Sequence, residues 1–180
     1  MAYIGKTPTA VPLTSGDITN GIITTAKIAD DAISAAKLAS GVGGKVLQIV
    51  QGTHATQVTT TSSSYVTTNL TASITPSSAT SKILVQMTFL GDTGPGSGDH
   101  GGDFTIFRNS TDLLTRGGDT YYNNNGLNIG MSVSMNYLDS PNTTSSTSYT
   151  AYMKARDSGT TMKSCHNNST GTVVLMEISA

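Results

Sequence analysis

From Lys45 onward the chain alternates apolar and polar side chains with a period of two. In "SYVTTNLTASI" Val66, Leu70 and Ile74 share one face, with Thr68 and Ala72 between them. "KILVQMTFL" groups Ile83, Val85, Met87 and Phe89, and "GLNIGMSVSMNYL" sets Leu127, Ile129, Met131, Val133, Met135 and Tyr137 against Asn128, Gly130, Ser132, Ser134 and Asn136. "SYTAYMKAR" sets Tyr149, Ala151, Met153 and Ala155 against Thr150, Tyr152, Lys154 and Arg156. Such alternation predicts half-buried strands, because successive side chains of a strand point to opposite faces. "KVLQIVQ", "DFTIF" and "TVVLMEIS" complete at least seven of them, separated by the turn-rich loops "ITPSSATSK", "GDTGPGSGDHGG" and "DSPNTTSSTS". Antiparallel strands without convincing helices predict an all-β, jelly-roll-like sandwich over residues 44–180. "KVLQIVQ" and "TVVLMEIS" carry apolar residues on both faces, which marks the terminal strand as part of a subunit contact.

Before Lys45 the pattern is different. Leu13, Ile18, Ile23, Ile28, Ile33 and Leu38 stand five residues apart. Five residues advance an α-helix by about 500°, so no stripe forms. In a strand an odd interval sends them to opposite faces in turn. The ten-residue repeat "NGIITTAKIA" followed by "DDAISAAKLA" fits a compound unit instead: an extended piece, then one helical turn capped by Thr24 or Ser34. Such a unit cannot bury its own isoleucines. Residues 13–43 therefore read as a thin repeat stalk, ordered only when chains wind round a common axis, as in a homotrimer. A single amphipathic helix from Thr25 to Ala39, capped by Thr24 and stopped by Gly41, is the alternative, and it too needs a partner.

Composition narrows the function. Charged residues make up 12% of the chain, about half of the usual 25%. Ser and Thr exceed a quarter, a polar but uncharged surface suited to β-rich extracellular or virion proteins. A net charge of −1 supplies no basic field for nucleic acid or anionic lipid. "MAYIGKTPTAVPL" lacks the apolar core of a signal peptide. No apolar run approaches ~18 residues, so no membrane insertion is expected. N-x-Ser/Thr matches such as those at Asn69, Asn109, Asn142 and Asn168 are what Thr-rich sequence produces by chance.

The search for chemistry mostly fails. Cys165 is the one cysteine, which excludes an intrachain disulfide and a Cys-based zinc site. "ASGVGGKV" resembles part of a phosphate loop, but Ala39 replaces its first glycine and Val46 its magnesium-binding hydroxyl, leaving a flexible hinge. His54, His100 and His166 lie on separate segments. His100 with Asp99 and Asp103 in "GDHGGD" matches no calcium-loop spacing. Cys165 and His166 are neighbours in sequence, which does not make them a catalytic pair. Glu177 is the only glutamate, so a glutamate pair for glycoside cleavage is impossible. The expectation is a protein that is not an enzyme and needs no cofactor and no metal. "DTYYNNNG" offers stacking rings and amides at Tyr121, Tyr122, Asn123 and Asn124, suited to a host-surface glycan. The same tyrosines also fit the core or a subunit interface.

Several segments together resemble a known family. "MAYIGKTPTAVPLTSGDITNGIITTAKIADDAISAAKLA" is similar to the N-terminus of tail-fibre and virion structural proteins of phages of marine bacteria, of the cyanophage and pelagiphage type. "GGKVLQIVQ", "SITPSSATSKILVQ" and "GTVVLMEISA" resemble the β-domain that often follows it. The resemblance implies a homotrimeric fibre on the virion surface, made in the host cytoplasm. Residues 1–12 would dock on other phage virion proteins through Tyr3, Ile4, Lys6 and Pro8, with the head outward. About three short repeats and no long shaft leave two roles open: contact with a host-surface glycan or protein, or a capsid, tail or collar decoration binding only virion proteins. A secreted trimeric lectin or adhesin is the alternative from another class.

Overall fold

The computed structural model describes Thr24, Ile28 and residues 45–94, 100–114, 121–123, 129–156 and 159–179. The chain divides into two units, Met1–Gly43 and Gly44–Ala180. In the first, Ile28 is 38% exposed.

The described residues of the second unit form eleven strands: β1 Val46–His54, β2 Val58–Thr60, β3 Val66–Ile74, β4 Lys82–Thr93, β5 His100–Arg108, β6 Thr111–Asp112, β7 Tyr121–Asn123, β8 Ile129–Asp139, β9 Thr147–Ala155, β10 Met162–Ser164 and β11 Gly171–Ile178. Every pairing among them is antiparallel. One sheet runs β1-β11-β4-β10-β2 with β8 on β4, and the other runs β3-β9-β5-β6 with β7 on β5. β11 and β10 share one edge of β4, pairing with Lys82–Thr88 and Gly91–Thr93, while β8 takes the other edge. Each broken pair therefore acts as one row. The first sheet has the rows β1/β2, β11/β10, β4 and β8; the second has β3, β9, β5 and β6/β7. Segments between β1/β2 and β5, and again from β7 to β10, cross from one sheet to the other, which is the interleaving of a jelly roll. The expected all-β sandwich is the fold observed.

The core lies where the period-two pattern put it. Ile83, Val85, Met87 and Phe89 of β4 are buried, as are Leu70 and Ile74 of β3 and Tyr149, Ala151, Met153 and Ala155 of β9. Phe89 meets Phe104 of the opposite sheet edge-on, with ring centroids 5.2 Å apart, the aromatic geometry that places a positive ring edge on a negative face. The sheets come very close at Gly52, where an added Cβ would lie 2.3 Å from the Thr71 carbonyl oxygen. Five of the six non-glycine residues with positive φ among the described residues are asparagines: Asn69, Asn109, Asn142, Asn167 and Asn168. Asparagine tolerates the left-handed region better than most residues. Asn69 sits where the β3–β9 register shifts, between Thr67 and Thr71.

One expectation changes. "GDTGPGSGDHGG" is not loop throughout, since His100–Gly102 already belong to β5. A Cβ at Gly102 would sit 2.4 Å from Met162 Sδ, so glycine lets β10 pack over this strand. The short strands β2, β6, β7 and β10, of two or three residues each, escape a pattern search because alternation needs more length to register.

Candidate functional site

Tyr3, Ile4, Lys6 and Pro8, expected to attach to the virion, lie outside the described residues, as do Leu13, Ile18, Ile23, Ile33 and Leu38 of the expected stalk and Asn124. Tyr121, Tyr122 and Asn123 form β7, whose ladder partners on β5 are Gly102, Gly101 and His100.

The feature that sequence reasoning only half located is the outer face of the β1–β11–β4–β8 sheet. Register aligns Ile49 with Met176, Met176 with Leu84, and Leu84 with Leu138. One apolar row thus crosses all four strands. Ile49 is 62% exposed and Leu138 49% exposed. Val46 and Leu47, at the register shift that opens β1, are also exposed, and Val46 pairs with Ile178. The next row is mixed: Gln51, Val174, Gln86 and Asn136. The row beyond it is wholly hydroxyl: Thr53, Thr172, Thr88 and Ser134. Covering an exposed Ile or Leu fully is worth about 1.5–3 kcal/mol, and a contiguous patch of this kind marks an interaction surface. The signal was present in the chain. Leu84 and Leu138 break the phase of their strands, being apolar at positions where alternation calls for polar residues.

The outer face of the other sheet carries a half-buried aromatic group. Tyr65 and Phe107 have centroids 5.6 Å apart, Phe107 and Tyr152 4.2 Å, and Lys154 Nζ lies 4.6 Å from the Tyr65 centroid. The Tyr65 hydroxyl donates to Asp103 Oδ2. These rings pack on one another and hold Asp103, whose burial removes it from the "GDHGGD" segment as an open ligand.

Several other ionisable groups are also engaged. Asp92 accepts from Lys163 Nζ at 2.7 Å, and His166 Nε2 stands 3.8 Å from its second oxygen. His166 Nδ1 lies 3.1 Å from Gln57 Oε1, while the Cys165 thiol is buried and donates to the His54 carbonyl at 3.3 Å. Cys165 and His166 therefore face different partners. Burial pushes the Cys165 thiol up, only partly offset by the Gly171 backbone, which works against a thiolate nucleophile. Val46 opens a strand, where a phosphate loop would open a helix; residues 39–44 of "ASGVGGKV", read from the sequence as a hinge, lie outside the described residues. Among the described residues, no three His, Cys, Asp or Glu side chains gather as metal ligands. Among them, too, no helix is long and apolar enough to cross a membrane.

No family model matches the chain, and no curated protein matches it. Among solved structures it is similar in shape to the VP2 subviral particle of infectious bursal disease virus, with 18% identity over 74% of this chain and a TM-score of 0.37. The VP2 structure of the Gx strain of that virus matches at 16% identity, over 74% of this chain, with the same TM-score of 0.37. The chain spans 37% and 38% of those two chains. The jelly-roll assignment rests on the strand order and not on these likenesses.

Proposed function

We propose that this chain is a virion structural protein of a phage: a short homotrimeric fibre whose N-terminus docks on the particle and whose jelly-roll head points outward, towards the host surface. The observation that carries this reading is where apolar side chains meet water. On the head, the exposed Val46, Leu47, Ile49 and Leu138 gather on one face and its rim, and the sequence sets Ile or Leu at five-residue steps along the leader. Both features ask for cover by another protein chain. The resemblance of the leader and of three head segments to marine-phage fibre proteins supports the virion setting, with Tyr3, Ile4, Lys6 and Pro8 as the docking residues.

Sedimentation of the full chain tests the assembly. The expected result is a trimer, and Ile23→Asp combined with Ile33→Asp is expected to yield monomer or aggregate. A wild-type chain that stays monomeric at micromolar concentration overturns the reading.

The shortness of the repeat favours a second reading, a head decoration or collar protein that binds only virion proteins. Purified protein that neither labels susceptible cells nor blocks infection selects it over the adhesive fibre.

A further inference from the structure

We infer that the heads of the trimer pack on one another through the outer face of the β1–β11–β4–β8 sheet, at the end where the chain enters the head. The inference rests on the trimeric reading above and names the surface that reading leaves open.

The first argument is position. The chain enters the head at Lys45, whose carbonyl accepts a hydrogen bond from the Ser179 amide at 2.8 Å, closing the start of β1 against the end of β11. Antiparallel register brings the beginnings of β1 and β4 and the ends of β11 and β8 to this same edge. Val46, Leu47 and Ile178 lie there, and the Ile49–Met176–Leu84–Leu138 row follows. Further from the entry the face turns to amides and then to hydroxyls. At about 3.4 Å per residue, the hydroxyl row at Thr53 lies ~14 Å beyond the apolar row at Ile49. Apolar exposure thus falls with distance from the entry point, and three leaders sharing an axis would hold three such entry points together.

The second argument is size. Four strands at ~4.8 Å spacing, with same-face residues every ~6.8 Å, make a face on the order of 500 Å². A free-standing complex needs about 800 Å² per partner. The face is too small to recruit a separate protein unaided, yet sufficient between copies that a common leader holds at an effective concentration in the ~mM range. The third argument is charge. From the entry to the hydroxyl row, Lys82 is the one charged residue at the outward positions of these strands. Gln51, Gln86 and Asn136 both donate and accept, so this face can meet its counterparts around a three-fold axis without opposing like charges or stranding donors. It offers no cationic cluster to an anionic lipid or an acidic partner.

The test uses the full chain. Cys165 is buried, so a single new thiol reports cleanly. Gln51→Cys, on this face, is expected to give covalent dimers with a short bis-maleimide, since one thiol per chain can join only two chains. Ser73→Cys, exposed on the outer face of the opposite sheet, is expected to give none. Adding Ile49→Asp and Leu138→Asp to Gln51→Cys should reduce cross-linking to the Ser73→Cys level while sedimentation still finds a trimer. Both positions are about half exposed or more, and circular dichroism verifies that the sandwich persists. A trimer that cross-links equally from both cysteines, or that ignores the two aspartates, overturns the proposed face and leaves the trimer standing. A monomeric wild-type chain overturns the trimer itself, and the face with it.

Discussion

Tyr149 on β9 donates its phenolic hydrogen to Asp139 Oδ2 on β8 at 2.7 Å, a bond that ties one sheet of the sandwich to the other. Arg108 Nη1, from the end of β5, lies 2.9 Å from both oxygens of the same carboxylate. Burial first, and then the neighbouring Asp139 carboxylate, push the Tyr149 phenol far above its usual range, so it stays a donor.

The three residues differ in what their loss leaves behind. Asp139→Ala strands a fully buried tyrosine hydroxyl and should cost about 2–4 kcal/mol. Tyr149→Phe removes one donor from a carboxylate that keeps Arg108, and should cost about 1 kcal/mol. Urea unfolding of both variants checks the order. Equal losses would show that the carboxylate does not organise the cluster.

Gly52 on β1 permits a very close approach between the sheets. A Cβ there would meet a backbone oxygen, Thr71 O, at 2.3 Å, with Val173 Cγ1 at 3.0 Å and Ala72 Cβ at 3.2 Å on its other sides. A backbone atom cannot rotate away as a side chain can. Gly52→Ala should therefore force β1 and β3 apart and cost about 1–3 kcal/mol or more. Gly130, by contrast, has a neighbour only at 3.9 Å, so Gly130→Ala should be nearly neutral. Thermal unfolding of the pair provides the comparison, and similar melting temperatures would refute the packing argument.

Tyr121 and Tyr122 stand on β7, at the edge of the second sheet. If they serve as a glycan platform, Tyr121→Ala with Tyr122→Ala abolishes labelling of susceptible cells while leaving the sedimentation coefficient unchanged. Retained labelling assigns the host contact elsewhere, and loss of the oligomer assigns the tyrosines to the subunit interface.

Period two made the core legible. Ile83, Val85, Met87 and Phe89 point inward because their unbroken period of two outweighs the out-of-phase Leu84 and Leu90, and Val133 and Met135 follow the same alternation on β8. The row pairing was not legible. It joins Ile49 to Met176 and Leu84 to Leu138 across loops whose lengths carry no register information. Nor were the polar clips: Arg108 and Asp139 are 31 residues apart, Tyr65 and Asp103 38, and each charge alone looks like solvated surface. The out-of-phase Leu84 and Leu138 were visible in the chain, but only the ladder shows that they share a row with Ile49. The leader's five-residue interval stands as a sequence pattern, since all but Ile28 of its apolar set lies outside the described residues.

Glu177 gives the head a defined response to acid. It is fully buried on the inner side of β11. Burial alone would raise its carboxyl pKa, but hydrogen bonds outweigh that penalty. The Ser77 amide and hydroxyl donate to Oε1 at 2.7 and 2.6 Å, Gln48 Nε2 donates to Oε2 at 2.6 Å, and Ser81 adds a further bond. Together they bring the carboxyl from its usual 4.5 down to about 2. The folded pKa is lower than the unfolded one. Its stabilisation is therefore complete above about pH 4.5 and is lost as pH falls through about 2. Glu177→Gln places an amide donor against donors and should cost about 2 kcal/mol at pH 7. The variant no longer titrates at this position, so the gap between wild type and variant should narrow steadily from pH 4.5 towards 2. Unfolding measured across that range decides it: a gap that stays constant would mean that the carboxylate is not held ionised by Ser77, Ser81 and Gln48.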